Sequence, residues 1–269
     1  MIDIETKEKL IDIARRAIYY GDLPLDSEEI YFMDCDNEYY AENITYQMGK
    51  EVTTNCGASK FVIIPFDLDY VIKIPFNYYC VDYEEWQEYG EIPEEIEEDN
   101  DAVYDYYCDL ISSSDKEVLR KLTGAYDKNI NPSSNWDYCA KETNTYQAAI
   151  KAGIEMFFAP EELLFYYNNY PIYVQTKCID YYDSDISLIE EKDKKITMNK
   201  IKSDKRFQYW DIVDYDWAAL AERFYGYGKL AHFYDFIVNY CISDLDYKNF
   251  GVIAKTGAPC LIDYSGYES

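Results

Sequence analysis

Apolar residues recur at helical spacing over 4–20, where Ile4, Leu10, Ile11, Ile13 and Ala14 form one stripe. A polar, acidic stretch follows. The run SKFVIIPFDLDYVIKIPF at 59–76 changes to a strand rhythm. It predicts one strand at 61–64, a turn at 65–69 and a second strand at 70–74. Residues 84–101 hold ten acidic side chains and no basic one, which predicts a solvated loop or loose helix. The stretch 77–135 therefore reads as an insertion, closed by the loop residues NPSSN at 131–135.

Periodicity returns in DYCAKETNTYQAAIKAGI at 137–154, a predicted helix ended by Gly153. Residues 162–177 predict two strands joined by a tight turn at Asn168–Asn169. Charged, irregular sequence fills 180–208. Over 216–240, Trp217, Leu220, Phe224, Ala231, Tyr234 and Val238 keep helical spacing, and Gly226 and Gly228 weaken the middle enough for two helices. Short strands at 250–253 and 260–262 flank Gly257. Strands, helix, strands, helices and a late hairpin make an α+β protein, with a sheet lobe before a helical lobe. Its divisions are a helical and acidic extension at 1–50, the sheet lobe with its insertion at 51–178, and the helical lobe at 179–269.

Composition narrows the partners. With 25 basic and 52 acidic residues, the 269-residue chain has a formal net charge of −27. Direct binding to nucleic acid or to an anionic membrane is not expected, because both need a basic surface. The eight cysteines are dispersed without a C-x-x-C pair, and there is one histidine, His232. That pattern argues against zinc and for reduced thiols in the cytoplasm. The opening residues carry charge rather than the apolar core of a signal peptide, and no apolar run reaches membrane-spanning length. The 32 tyrosines suit half-buried packing, where the ring is covered and the hydroxyl stays wet.

Three local patterns carry chemistry. Lys73 shares a strand face with Val71, while Tyr70, Ile72 and Ile74 point the other way. Such a lysine either snorkels to water from an edge strand or meets an anion. Glu142 lies on a helical stripe with Tyr146, Ala149 and Gly153, and is either a first-turn glutamate or the partner of a cation such as Lys73. Near the end, SDLDYKNFGV (243–252) and CLIDYSGYES (260–269) gather oxygen donors. Magnesium binds through one or two carboxylates plus substrate phosphates, so Asn249 and Asp263 are candidate metal ligands. Asp244 is then left to accept a proton from an attacking hydroxyl.

The pair DLDYKN and LIDYSG resembles the catalytic loop and metal-binding turn of the protein-kinase-like superfamily, D-x-x-x-x-N followed by D-F-G. VIKIPF is similar to that family's lysine strand, and GASKFVII stands where its glycine-rich phosphate loop belongs. The resemblance covers roughly residues 50–269 and implies a two-lobed kinase-like fold: an N-terminal antiparallel sheet plus helix, then a mostly helical C-terminal lobe. It implies ATP and Mg²⁺ as cofactors. Lys73 would hold the α- and β-phosphates and Glu142 would orient it. Asp244 would be the base, and Asn249 and Asp263 the metal ligands. Gly57, Ser59 and Lys60 would contact phosphate. The strand 172–177, with Gln175, Lys177 and then Cys178, would take the adenine.

The departures are specific. The phosphate loop has one glycine, Gly57, in place of three; Ile242 and Ser243 replace the catalytic loop's histidine and arginine; Asp246 stands where a lysine meets the γ-phosphate. Six residues follow Asp263, without A-P-E, so a conventional peptide-gripping lobe is not expected. The sequence thus predicts an atypical kinase-like transferase of phosphoryl or nucleotidyl groups. The alternative is a catalytically silent kinase-like scaffold or an acidic decoy for a basic protein. ATP carries about four negative charges, and like charges ~4 Å apart repel by about 4 kcal/mol at an effective dielectric near 20. Nucleotide binding should therefore depend steeply on divalent metal.

Overall fold

A computed structural model describes residues 2–23, 25, 30–56, 60–75, 79–81, 102, 135–181, 189–207, 214–240, 242, 245 and 247–264. Gly57, Ser59, Asp244 and Asp246 lie outside the described residues, as do most of the 77–135 stretch and all of 84–101.

The chain opens with α1 (Ile4–Gly21), capped by Asp3, whose carboxylate accepts from the Thr6 amide. Next come β1 (Ile30–Phe32), α2 (Met33–Met48), β2 (Val52–Cys56), β3 (Lys60–Pro65), β4 (Tyr70–Pro75) and β5 (Tyr79–Val81). The next long element is α3 (Asn135–Ala152), followed by β6 (Glu161–Tyr167), β7 (Tyr170–Thr176) and β8 (Cys178–Asp180). Three helices, α4 (Glu191–Ser203), α5 (Tyr215–Tyr225) and α6 (Tyr227–Asn239), precede a hairpin of β9 (Phe250–Ile253) and β10 (Pro259–Leu261). The protein is mixed α+β, with six α-helices among the described residues.

Five strands form an antiparallel sheet in the order β2-β3-β4-β7-β6. The side-chain period of two splits it into unlike faces. Phe61, Ile63, Ile72, Ile74, Ile172 and Val174 form one face, packed with Leu10, Ile13, Ala14 and Ile18 of α1 and Ile44 and Met48 of α2. The other face carries Lys60, Lys73, Tyr173, Gln175 and Glu161, as the pairings Lys60↔Pro75, Lys73↔Tyr173 and Glu161↔Gln175 require. The N-terminal half of α3 lies over this polar face.

A second apolar core joins the end of α3 to α4–α6 and the late hairpin, through Phe157, Phe158, Trp217, Phe233, Phe236, Phe250 and Tyr264. Trp217 also donates its indole N–H to the Gly251 carbonyl at 3.1 Å. Lys177 alone separates β7 of the large sheet from β8, which begins a three-stranded sheet ordered β10-β9-β8.

Several sequence expectations need correction. α2 and β2 occupy sequence read only as polar. α4 lies inside 180–208, expected to be irregular; Thr197 and Ile201 are its buried positions, too few to mark a stripe by eye. Ile4, Phe224 and Val238 are exposed. The last two stand in the final turns of their helices, at the exposed end of each stripe, and Gly226, with a φ of +84°, breaks the segment into α5 and α6. The insertion is not wholly apart from the elements before it, because β5 pairs in parallel with β1. No described helix is long and apolar enough to cross a membrane.

Candidate functional site

Lys73 is central. It lies on an interior strand, between β3 and β7, and is 3% exposed. The snorkelling alternative fails there, since an interior strand offers no path to water. An ammonium group so placed needs anions, and two meet it. Its Nζ lies 3.0 Å from Glu142 Oε2 and 2.8 Å from Glu161 Oε2. Glu142 is fully buried on the inward side of α3, and its second oxygen, Oε1, lies 3.0 Å from Lys60 Nζ. Lys60 in turn lies 3.0 Å from Asp263 Oδ2. The chain of contacts runs Asp263–Lys60–Glu142–Lys73–Glu161.

Gln175 closes the network. Its amide donates to Glu161 Oε2 at 3.0 Å and to the Ile262 carbonyl at 2.8 Å. The side chain is buried and committed to these partners, so any contribution to an adenine site falls to its backbone. Lys177 likewise spends its ammonium group on the Pro65 carbonyl, at 3.0 Å.

Local structure explains how distant residues converge. Gly153 takes a φ of +69°, and Ile154 donates back to the Ala149 carbonyl, so the chain turns sharply after α3 toward β6. Ala159 then donates to the Leu261 carbonyl at 2.8 Å, and Tyr264 donates to the Ala159 carbonyl at 2.6 Å. These two bonds clamp the segment before Glu161 against the one carrying Asp263. Across the hairpin's open end, Ile262 donates to the Asn249 carbonyl at 2.9 Å, which sets Asn249 beside the strand leading to Asp263. Gly251 allows the close approach: a Cβ there would lie 2.4 Å from Ile262 Cδ1 and 2.7 Å from the Ile179 carbonyl oxygen.

The electrostatics follow from burial and pairing. Burial opposes charge on Lys60 and Lys73, but the facing carboxylates outweigh it and raise both above the ordinary lysine range. Burial and the Glu161 carboxylate push Glu142 up, against the pull of the two lysines. Asp263 goes the other way: Lys60 and Lys73 overcome its burial and hold it below the ordinary carboxylate range. Fully ionised, the three carboxylates exceed the two ammonium groups by one negative charge. Glu161 Oε1 is buried with no hydrogen-bond partner among the described residues.

Two donor sets could hold a metal. Cys139, Glu142 and Glu161 offer atoms within 4.8 Å of one another. They suit a cation poorly, because both Glu142 oxygens already hold ammonium groups and burial keeps the Cys139 thiol protonated. Asp263 and Asn249 suit it better. Both supply hard oxygen donors, as magnesium prefers, and the Asp263 side chain keeps 32% exposure.

The structure thus brings together Lys60, Lys73, Glu142, Gln175 and Asp263 from the sequence reading. Asn249 borders them through its backbone. Glu161 was missed: it opens a strand next to Glu162, and only the observed start of β6 shows which of the two faces inward. His232 is exposed, with its ring Nε2 3.2 Å from the Ala152 carbonyl, and takes no part. Comparison with protein-family models, with curated proteins and with solved structures gives no match.

Proposed function

We propose that this chain is an atypical kinase-like phosphotransferase that binds ATP with Mg²⁺ between a sheet lobe and a helical lobe. One observation carries the reading. The lysine of an interior strand and the glutamate of the helix after it form a buried ion pair, and the aspartate after the last strand joins the same network through Lys60. In protein kinases a strand lysine paired with a helix glutamate, and a metal-binding aspartate, must both be in place for catalysis. The order and spacing of DLDYKN and LIDYSG support the same assignment.

In this reading Lys73 and Lys60 neutralise phosphate oxygens, and Glu142 and Glu161 hold Lys73 in position. Asp263 and Asn249 would hold a divalent metal, which would supply positive charge to offset that of the phosphates. Asp244 accepts the proton of the attacking hydroxyl. Lys177, the one residue between β7 and β8, is the natural hinge. The test is transfer from ATP labelled in its γ-phosphate to components of a cell lysate. Label transferred by the wild type and abolished by Asp244→Ala and Asp263→Ala is expected. Equal labelling by both variants would rule the assignment out.

A silent scaffold or acidic decoy is the second reading. The closure of the network favours it, since Asp263 is already neutralised by Lys60. It expects no transfer, and capture of a basic protein that Asp244→Ala leaves unchanged.

A further inference from the structure

Among the described residues, Lys60 meets two carboxylates of different kinds. Its Nζ is 3.0 Å from Oε1 of the fully buried Glu142 and 3.0 Å from Oδ2 of Asp263, whose side chain is partly exposed. The ammonium group therefore stands between the interior and the mouth of the site. A divalent cation approaching Asp263 meets a positive charge already bound to that carboxylate, and the two compete for it.

Release of Lys60 leaves each buried carboxylate a donor, although Glu142 and Glu161 then share the single Lys73 ammonium group. Glu142 keeps Lys73 at 3.0 Å, and Glu161 keeps Lys73 and Gln175. Lys60 is the first residue of β3, and a lysine's four-carbon stem lets its head turn toward a new anion without moving the backbone. A phosphate group at the mouth is such an anion.

Resting on the kinase-like reading, we propose that Lys60 is a clasp on Asp263. It holds this carboxylate closed to a divalent cation until a phosphate-bearing ligand draws the ammonium group away, so that metal and nucleotide bind as a pair. Lys60 is thus a positioning residue for the metal, distinct from Lys73, whose two carboxylates keep it fixed.

The test is Mn²⁺ titration of the nucleotide-free protein, with free ion read by electron paramagnetic resonance. Lys60→Gln should bind Mn²⁺ roughly tenfold or more tightly than wild type, the scale expected when a paired cation leaves a partly solvated carboxylate. Lys60→Arg, which keeps the charge, should behave as wild type. The double variant Lys60→Gln/Glu142→Gln removes one charge of each sign, and should show the same gain if the single variant does not fold. Adding Asp263→Asn to either should abolish it. Variants that bind Mn²⁺ no better than wild type, or a gain that survives Asp263→Asn, would overturn the clasp. If wild type nevertheless melts higher with ATP and Mg²⁺, the kinase-like reading stands and the clasp alone falls. If wild type ignores ATP and Mg²⁺, the reading falls and takes the clasp with it.

Discussion

Lys73 and Glu142 are 69 positions apart in sequence and end 3.0 Å apart in the interior. At the residue scale that pair sets the terms for everything near it. Lys73→Met would leave Glu142 and Glu161 facing each other with one cation fewer. Breaking a buried ion pair from one side costs about 3–5 kcal/mol, so the urea midpoint of this variant should fall sharply. A midpoint unchanged from wild type would contradict the buried network. Asp263 predicts a pH signature. A carboxylate held below its ordinary value of 3.8 adds stability above that pH and loses it as pH falls through the lowered value. The stability gap between wild type and Asp263→Asn should therefore be constant near neutrality and narrow as pH drops below about 4. A gap that widens in acid would refute the pairing. Lys73 and Asp263 were legible because each is a charged group set in an apolar run, and Glu142 because it shares a helical stripe with Tyr146 and Ala149. Glu161 was not, because its neighbour Glu162 offers the same chemistry on the other face. Nor was the Lys60–Asp263 contact, since it exists only once the hairpin docks on the segment before β6.

At the scale of elements, the hairpin of β9 and β10 is flanked by Asn249 and Asp263, the proposed metal ligands. Gly251 is its most constrained point, because any side chain there meets the Ile179 carbonyl oxygen and Ile262. Gly251→Ala should lower stability by about 1–3 kcal/mol, as overpacking of a filled core does. It should also weaken any metal or nucleotide response by shifting the strand next to Asp263. A thermal melt with and without ligand reads both effects; a variant that melts and responds as wild type would contradict the close packing. Elements with strong punctuation were readable from sequence. Asn168 and Asn169 at positive φ make the β6–β7 turn, and Gly153 and Gly257 end α3 and shape the last hairpin. Elements without punctuation were not. α4 buries a single narrow edge, and its N-cap, Glu190, makes no side-chain capping bond, so only the charge bias of its two ends marks a helix. In α5 and α6 the apolar spacing was real, but each stripe runs out in the last turn of its helix, where Phe224 and Val238 are exposed.

At the scale of the whole molecule, one apolar core covers the apolar face of the five-stranded sheet, a second joins the end of α3 to the later helices and hairpin, and the chain carries a net charge of −27. An anionic nucleotide approaching such a surface is repelled unless metal travels with it. The order of the motifs along the chain was visible in the sequence. Their convergence was not, because it depends on backbone contacts such as Ala159 with Leu261 that no side-chain pattern announces. The most direct test is thermal melting of the wild type and Asp263→Ala with ATP, with Mg²⁺, and with both. The account expects the wild type to gain several degrees only when ATP and Mg²⁺ are present together, and Asp263→Ala to gain nothing. No shift in the wild type, or an equal shift in the variant, would contradict it.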